Sequence, residues 1–410
     1  MKSKVIILLL LLCGCRLLYG QPTSYEMKIT QKSVNCFFVK LDISLQNNYC
    51  EKDTVEFSFG GLIPKYAVTG LKIKSDNRIP FIFDQEKKLL KICKNKIKQN
   101  KISFEYKFNI IWGISLDNNA SLFYNSSEYP IPFIENIDSI DFTCKIKKIN
   151  KFSVLTNIPQ EDDSYTSKLI GINKIAFVFL DTQAFKIHNY STPFCKINVF
   201  TTDNTLTEND FGRLGHKLTD CIDYFSTNIT PCRYRELNII EADWWGSTFI
   251  GGVAVVNISA FRTYTLFHEI IHEWIGGIIP TKNNTVGEFL TKESLNEYLT
   301  MQFLKYEDGD SVYNAALQKY RESYDDYLKT NEDISIFNVT KYVDSTHPII
   351  MYKQVLLLDE LAQKVGYNEL NSAIFDFLKK TMWQEIEATQ FLDMLKAKFG
   401  QPAFDYCEKI

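Results

Sequence analysis

Residues 268–272 read His-Glu-Ile-Ile-His, and no other stretch limits the local fold so tightly. Two histidines four apart share one face, a turn apart, on an α-helix. There both imidazoles can reach a single zinc ion, while Glu269 projects beside a metal-bound water. The spacing predicts a helix over 263–277, with Leu266, Ile270, Ile271 and Ile275 buried around the site and Gly276-Gly277 and Pro280 ending it. The plainer alternative is a pair of core histidines on a buried helix. Hydrolytic zinc usually keeps three protein ligands and an open position, so a third ligand is expected downstream. Residues 288–300 read Glu-Phe-Leu-Thr-Lys-Glu-Ser-Leu-Asn-Glu-Tyr-Leu-Thr. Glu293 and Glu297 there lie one helical turn apart, and either can face the metal.

Around this pentad the apolar pattern changes period along the chain. From residue 22 to about 155, apolar and polar residues alternate, as in Cys36–Ser44, Thr54–Phe59 and Ile102–Ile110, which marks strands with one buried face. Further strand-like runs follow at Lys174–Leu180 and Lys196–Thr201. Leu206, Phe211, Leu214, Leu218, Cys221 and Phe225 then fall at helical spacing. A strand is expected at Glu236–Ala242 and helices near 288–305, 309–330, 347–364, 368–381 and 388–399. The expected class is α+β: a β-rich domain over 21–200 followed by a mostly helical domain over 201–410.

The first twenty residues have the order of a secretory signal: Lys2 and Lys4, the apolar run Val5–Leu12, then Cys13-Gly14-Cys15 and a short stretch ending at Tyr19-Gly20. The run is too short for a permanent membrane helix. Cleavage near Gly20 would release a soluble exported protein. A lipobox-like reading of Leu12-Cys13-Gly14-Cys15 would lipidate Cys15 and tether the protein to a membrane. A net charge of −3 gives no basic footprint for nucleic acid. Ten cysteines, eight beyond the signal, include no Cys-x-x-Cys pair, so cysteine zinc sites are not expected. An exported chain permits disulfides, and closeness in sequence suggests Cys36 with Cys50 and Cys221 with Cys232.

The segments His268-Glu-Ile-Ile-His-Glu-Trp-Ile-Gly276 and Phe289-Leu-Thr-Lys-Glu-Ser-Leu-Asn-Glu-Tyr298 together resemble the alanyl aminopeptidase family of gluzincin zinc metallopeptidases. The likeness covers about residues 200–400. It implies a thermolysin-like zinc-peptidase domain, one Zn2+ ion, and a peptide or protein substrate. Glu293 takes the third ligand position, Ser294 replaces the family's glycine, and Glu297 orients a ligating histidine from behind. Twenty residues separate His272 from Glu293 where the family has eighteen, so an insertion is expected in the 281–288 loop. The segment His347-Pro-Ile-Ile-Met-Tyr352-Lys matches the family's tyrosine helix, which implies that Tyr352 stabilises the oxyanion. The family's tyrosine-x-lysine-glycine has here become Tyr352-Lys353-Gln354-Val355, without the lysine-glycine.

One departure bears on substrate. The family's glycine-x-methionine-glutamate-asparagine segment holds the substrate's free amine, and the counterpart Gly251-Gly252-Val-Ala-Val-Val-Asn257 contains no acid. Its backbone, with Gly251 and Gly252, is expected to meet substrate as an edge strand. Glu241, Asp243 or Glu297 is left to supply the missing charge. Three functions follow: an aminopeptidase-like zinc hydrolase with Glu269 as general base, a zinc endopeptidase without a free N-terminus requirement, or an exported binding protein that keeps the fold without turnover.

Overall fold

A computed structural model describes residues 23–46, 53–58, 68–84, 89–109, 115–116, 120–124, 131–134, 140–170, 175–202, 206–242, 247–257, 264–282 and 285–410. The signal segment, Cys50 and Asp243 lie outside the described residues. The chain divides into two compact units with the boundary between Lys186 and Ile187. That is earlier than the change of period near residue 200, because the strands over 186–201 join the second unit's sheet.

In the first unit the expected alternation becomes sheets. Among the described residues, eight strands form the largest, with Ser24–Ser33, Cys36–Ser44 and Lys101–Asn109 side by side. Val39, Leu41 and Ile43 point to one face and pair in register with Tyr106, Phe104 and Ile102, all buried. Two four-stranded sheets pack against that face. Phe37 of the large sheet meets Phe179 of one at 4.9 Å, and Phe104 meets Phe57 of the other at 5.1 Å, ring centre to ring centre.

The second unit opens with a five-stranded sheet. Its strands are β1 (Lys186–Ser191), β2 (Lys196–Thr201), β3 (Glu236–Ala242), β4 (Thr248–Ile250) and β5 (Val253–Asn257), in the order β1-β2-β3-β5-β4. β2, β3 and β5 are parallel, and β4 is antiparallel to β5. Helix α1 (Glu208–Asn228) makes the crossover from β2 to β3 and starts with a capping box between Thr207 and Asp210. After β5 the unit is helical: α2 (Thr265–Ile271), α3 (Leu295–Asp308), α4 (Asp310–Leu328), α5 (Gln354–Val365), α6 (Tyr367–Lys380), α7 (Ala388–Phe399) and α8 (Gln401–Lys409).

Two short π-helical segments interrupt this pattern, Leu290–Ser294 running into α3 and Pro348–Lys353 running into α5. The buried Ser294 hydroxyl donates to the carbonyl of Ile350 across 2.6 Å and joins the two. Such wide turns shift side chains out of α-helical register and tend to occur at functional sites. No helix among the described residues is long and apolar enough to cross a membrane.

The structure corrects the disulfide expectation. Cys221 and Cys232 are both free thiols, as is Cys36. Cys221 lies in the interior of α1, facing the core, whereas Cys232 follows the helix and its thiol donates to the carbonyl of Tyr234 at 3.6 Å. Closeness along the chain did not become closeness in space, because a helix fixes the direction of each side chain it carries.

Candidate metal centre

Helix α2 is anchored from both sides. Phe267 packs on Phe303 of α3 at 5.4 Å, and Trp274, just past the helix, packs on Phe225 of α1 at 5.4 Å. The helix is shorter than the spacing predicts and ends at His272, which keeps helical dihedrals. The backbone then tightens, with Glu273 and Trp274 donating to Ile270 and Ile271, and Gly276 takes φ +88° to turn away. The excess residues of the 281–288 loop include 283–284, which lie outside the described residues.

His268 and His272 still share a face. His268 Nε2 and His272 Nε2 are 3.1 Å apart, and Glu293 Oε2 lies 3.4 Å from each. The other ring nitrogens are engaged elsewhere. His272 Nδ1 lies 3.0 Å from the carbonyl of Ile275, which can only accept, so Nδ1 carries the proton. His268 Nδ1 lies 2.6 Å from Glu297 Oε2. Both Nε2 lone pairs are therefore aimed at the same point as the Glu293 carboxylate. A tetrahedral ion with bonds of about 2.0–2.2 Å holds its ligand atoms about 3.3–3.6 Å apart. The triangle of 3.1, 3.4 and 3.4 Å and its two-imidazole, one-carboxylate chemistry fit one zinc ion.

The two glutamates that sequence spacing left interchangeable are thus separated: Glu293 faces the Nε2 pair, and Glu297 stands behind His268. Tyr320 donates its hydroxyl to the other oxygen of Glu297. Asn296 donates to the backbone carbonyl of His268 at 2.8 Å, which fixes α2 against α3.

The electrostatics sort the carboxylates further. Burial raises Glu293 and Glu297, but the facing imidazoles outweigh it and hold both below the usual carboxylate range. Glu269 has the opposite balance: burial dominates and raises its pKa. Burial also opposes charge on His268, yet its hydrogen bonds to Glu293 and Glu297 prevail and push it up to about 10. A carboxylate held up beside two held down is the division that acid–base chemistry uses.

Tyr352 is half-buried in the second π-helical segment. Its hydroxyl lies 3.2 Å from His347 Nε2, and the Tyr342 hydroxyl lies 2.7 Å from His347 Nδ1. The Tyr320 ring packs against Tyr352 at a 40° tilt, 4.9 Å between ring centres. The sequence reading missed His347, Tyr342, Tyr320 and Asn296. In an α-helix, residues five apart point roughly 140° away from each other at 3.6 residues per turn, so the pair 347 and 352 gave no signal. The wider π turn brings them together.

The stretch 251–257 differs from expectation. Val253–Asn257 is an interior strand, paired with β3 on one side and β4 on the other, so β4 forms the sheet's edge. Gly251 and Gly252, at φ +57° and +80°, make the two-residue turn between β4 and β5. A Cβ on Gly252 would meet the Tyr234 ring at 2.9 Å. Glu241 is buried on β3 and accepts the hydroxyl of Thr201.

A second group, His216, Asp220 and Glu307, also brings potential ligand atoms within 4.8 Å of one another. His216 and Asp220 already pair at 3.3 Å on the surface of α1.

Known proteins resemble the chain in its second unit and in its fold. The Peptidase family M1 domain matches residues 258–406. No curated protein sequence matches the chain. Among solved structures, an M1 zinc metallopeptidase mutant from Deinococcus radiodurans, bound to a Tyr-Ser-Ala substrate, matches at TM-score 0.63 and 10% identity, over 94% of this chain and 92% of that one. Leukotriene A4 hydrolase from Saccharomyces cerevisiae matches at TM-score 0.64 and 12% identity, over 96% of this chain and 69% of that one. An aminopeptidase N family protein from Idiomarina loihiensis matches at TM-score 0.63 and 12% identity, over 92% and 76%. The α+β class and the resemblance drawn from the zinc and glutamate helices are both borne out: residues 258–406 match the Peptidase family M1 domain, and the chain has the fold of solved M1 zinc metallopeptidases.

Proposed function

We propose that this protein hydrolyses peptide bonds at a single zinc ion held by His268, His272 and Glu293, and that it acts on peptides in an aminopeptidase-like manner. The observation that carries this reading is the convergence of both Nε2 atoms and Glu293 Oε2 at 3.1–3.4 Å. A zinc ion there acidifies a water and polarises the scissile carbonyl. Glu269, with its pKa raised by burial, takes the attacking water's proton and later delivers it to the leaving amine. Glu297 holds His268 in the tautomer that leaves Nε2 free. Tyr352 donates its proton to the developing oxyanion. In that role its oxygen accepts from His347 Nε2–H, the tautomer in which Nδ1, 2.7 Å from the Tyr342 hydroxyl, is the acceptor. The signal-like residues 1–20 support export, with a membrane tether only if Cys15 is lipidated.

A second reading, an endopeptidase, is favoured by a specific observation. Among the described residues, each candidate for binding a substrate's ammonium is already engaged: Glu241 by Thr201, and Glu297 by His268 and Tyr320. Losing a charge-assisted hydrogen bond costs about 1.5–3 kcal/mol, roughly a ten- to hundredfold loss in preference for free N-termini. The test is to cleave one peptide library in free and acetylated forms, with and without a chelator, read by mass spectrometry. Chelator-sensitive cleavage with a free-amine preference of roughly tenfold to a hundredfold supports the proposal, and near-equal rates support the endopeptidase reading. A preference above about a thousandfold would reveal an acidic anchor. Bound zinc with no turnover of any peptide would leave a binding protein.

A further inference from the structure

Helix α4 turns one stripe inward. Tyr313, Ala316, Leu317, Tyr320 and Tyr324 recur at three- to four-residue spacing. Tyr313, Ala316 and Leu317 are buried, and Tyr320 and Tyr324 pack against the same core. Tyr324 donates to Asp333 Oδ1 at 2.7 Å, and Lys353 Nζ donates to the same oxygen at 2.7 Å. Lys353 follows Tyr352 directly, so α4 is pinned to the second π-helical segment without help from Tyr320. One turn earlier, Tyr320 touches both halves of the metal centre. Its hydroxyl donates to Glu297 Oε1, since an ionised carboxylate can only accept. Oε2 of that carboxylate holds His268 Nδ1 at 2.6 Å, and Glu297 is buried. The ring of Tyr320 lies 4.9 Å from that of Tyr352, which His347 meets edge-on at 5.2 Å. Glu297 and Tyr352 belong to different segments, α3 and the turn that leads into α5, and Tyr320 contacts both.

We propose that Tyr320 is a positioning residue for the hydrolysis proposed above: its hydroxyl locks the carboxylate behind the zinc ligand His268, and its ring aims the Tyr352 phenol. The inference rests on that reading of the site. A carboxylate turns readily about its last side-chain bond, because that torsion is broad and roughly two-fold. Donors on both oxygens stop the rotation, and the imidazole that shares the carboxylate keeps its Nε2 directed at the metal position. Removing the hydroxyl leaves Oε1 buried without that donor, so the cost falls on zinc affinity. Removing the ring takes away one of the two aromatic contacts of Tyr352 described above, so the cost falls on kcat. The two losses are separable, because a phenylalanine keeps the ring and a leucine keeps neither group.

The test compares the purified full chain with Tyr320→Phe and Tyr320→Leu. Zinc affinity is read by competition with a chromophoric chelator, and kcat and KM are read at saturating zinc on a peptide that the parent cleaves. Tyr320→Phe should bind zinc about tenfold more weakly than the parent. Tyr320→Leu should show the same zinc loss and a kcat roughly tenfold below that of Tyr320→Phe, with KM unchanged between the two. Tyr324→Phe is the control: it removes the neighbouring hydrogen bond to Asp333 from the same helix and should hold zinc as tightly as the parent. Tyr320→Met replaces Tyr320→Leu if circular dichroism shows that the leucine variant does not fold. The inference is overturned if Tyr320→Phe keeps the parental zinc affinity, or if Tyr324→Phe loses as much, which would mean a general loosening of α4. Equal kcat with and without the ring also overturns it. A parent that binds zinc but cleaves no peptide defeats the hydrolase reading, and the chelator competition then decides the inference by itself. A parent that binds no zinc defeats both.

Discussion

Replacing Glu297 with Gln probes whether the residue behind His268 sets metal affinity. His268 Nδ1 and Glu297 Oε2 are 2.6 Å apart, and both residues are buried. The Tyr320 hydroxyl donates to the other oxygen. A glutamine offers one acceptor to these two donors, so either the imidazole loses its charged partner or Tyr320 faces an N–H. A hydrogen bond to a charged group is worth about 1.5–3 kcal/mol, which corresponds to roughly a ten- to hundredfold weaker hold on zinc. Partners of this kind behind metal ligands typically matter by the same factor. Zinc affinity is read by equilibrium competition with a chromophoric chelator at fixed pH, with far-ultraviolet circular dichroism to confirm an unchanged fold. If Glu297→Gln binds zinc within about twofold of the parent, the carboxylate does not tune the ligand and its placement behind His268 is incidental.

Four further substitutions separate the roles within and around the site. Glu269→Gln should keep stoichiometric zinc, measured by metal analysis, while hydrolysis falls by about 10²–10⁴-fold; near-parental turnover would remove Glu269 as the base. Tyr352→Phe should lower kcat by roughly 10²–10³-fold with little change in KM. His347→Phe should give a smaller loss in the same parameter, and an unchanged kcat would show that His347 does not aim the phenol. Ser294→Ala removes the 2.6 Å hydrogen bond that joins the two π-helical segments and leaves the Ile350 carbonyl without it. Denaturant unfolding should show a loss of about 1–3 kcal/mol; an unchanged midpoint and slope would mean that the segments are held by packing alone.

Much of this arrangement was legible in the residues. Period-two alternation located Cys36–Ser44 and Lys101–Asn109, because one face of each is buried and the other is not. Glu236–Ala242 and Ala388–Phe399 fell on their expected bounds. The four-residue spacing of His268 and His272 survived even though α2 stops at Ile271, since His272 at its end keeps helical dihedrals. Where the reading failed, the deciding contact came from a distant segment. The expected pair Cys221 and Cys232 stays as two free thiols, because Cys221 faces the core from α1 while the Cys232 thiol reaches Glu273 of the zinc-helix segment at 4.0 Å. Gly251 and Gly252 became a hairpin turn because β4 folds back on β5.

The sequence by itself determined the donor types, their helical spacing and hence the chemistry open to the site. Helical periodicity is a local property, set by backbone geometry within a few residues. Only the tertiary structure decided between Glu293 and Glu297, which are equivalent within their own helix. The choice depends on how that segment crosses α2, where Asn296 grips the His268 carbonyl and the π-helical segment carries Glu293 to the Nε2 pair. The same holds for His347, whose approach to Tyr352 exists because a local widening of the helix, joined to Ser294 from another segment, overrides the α-helical register.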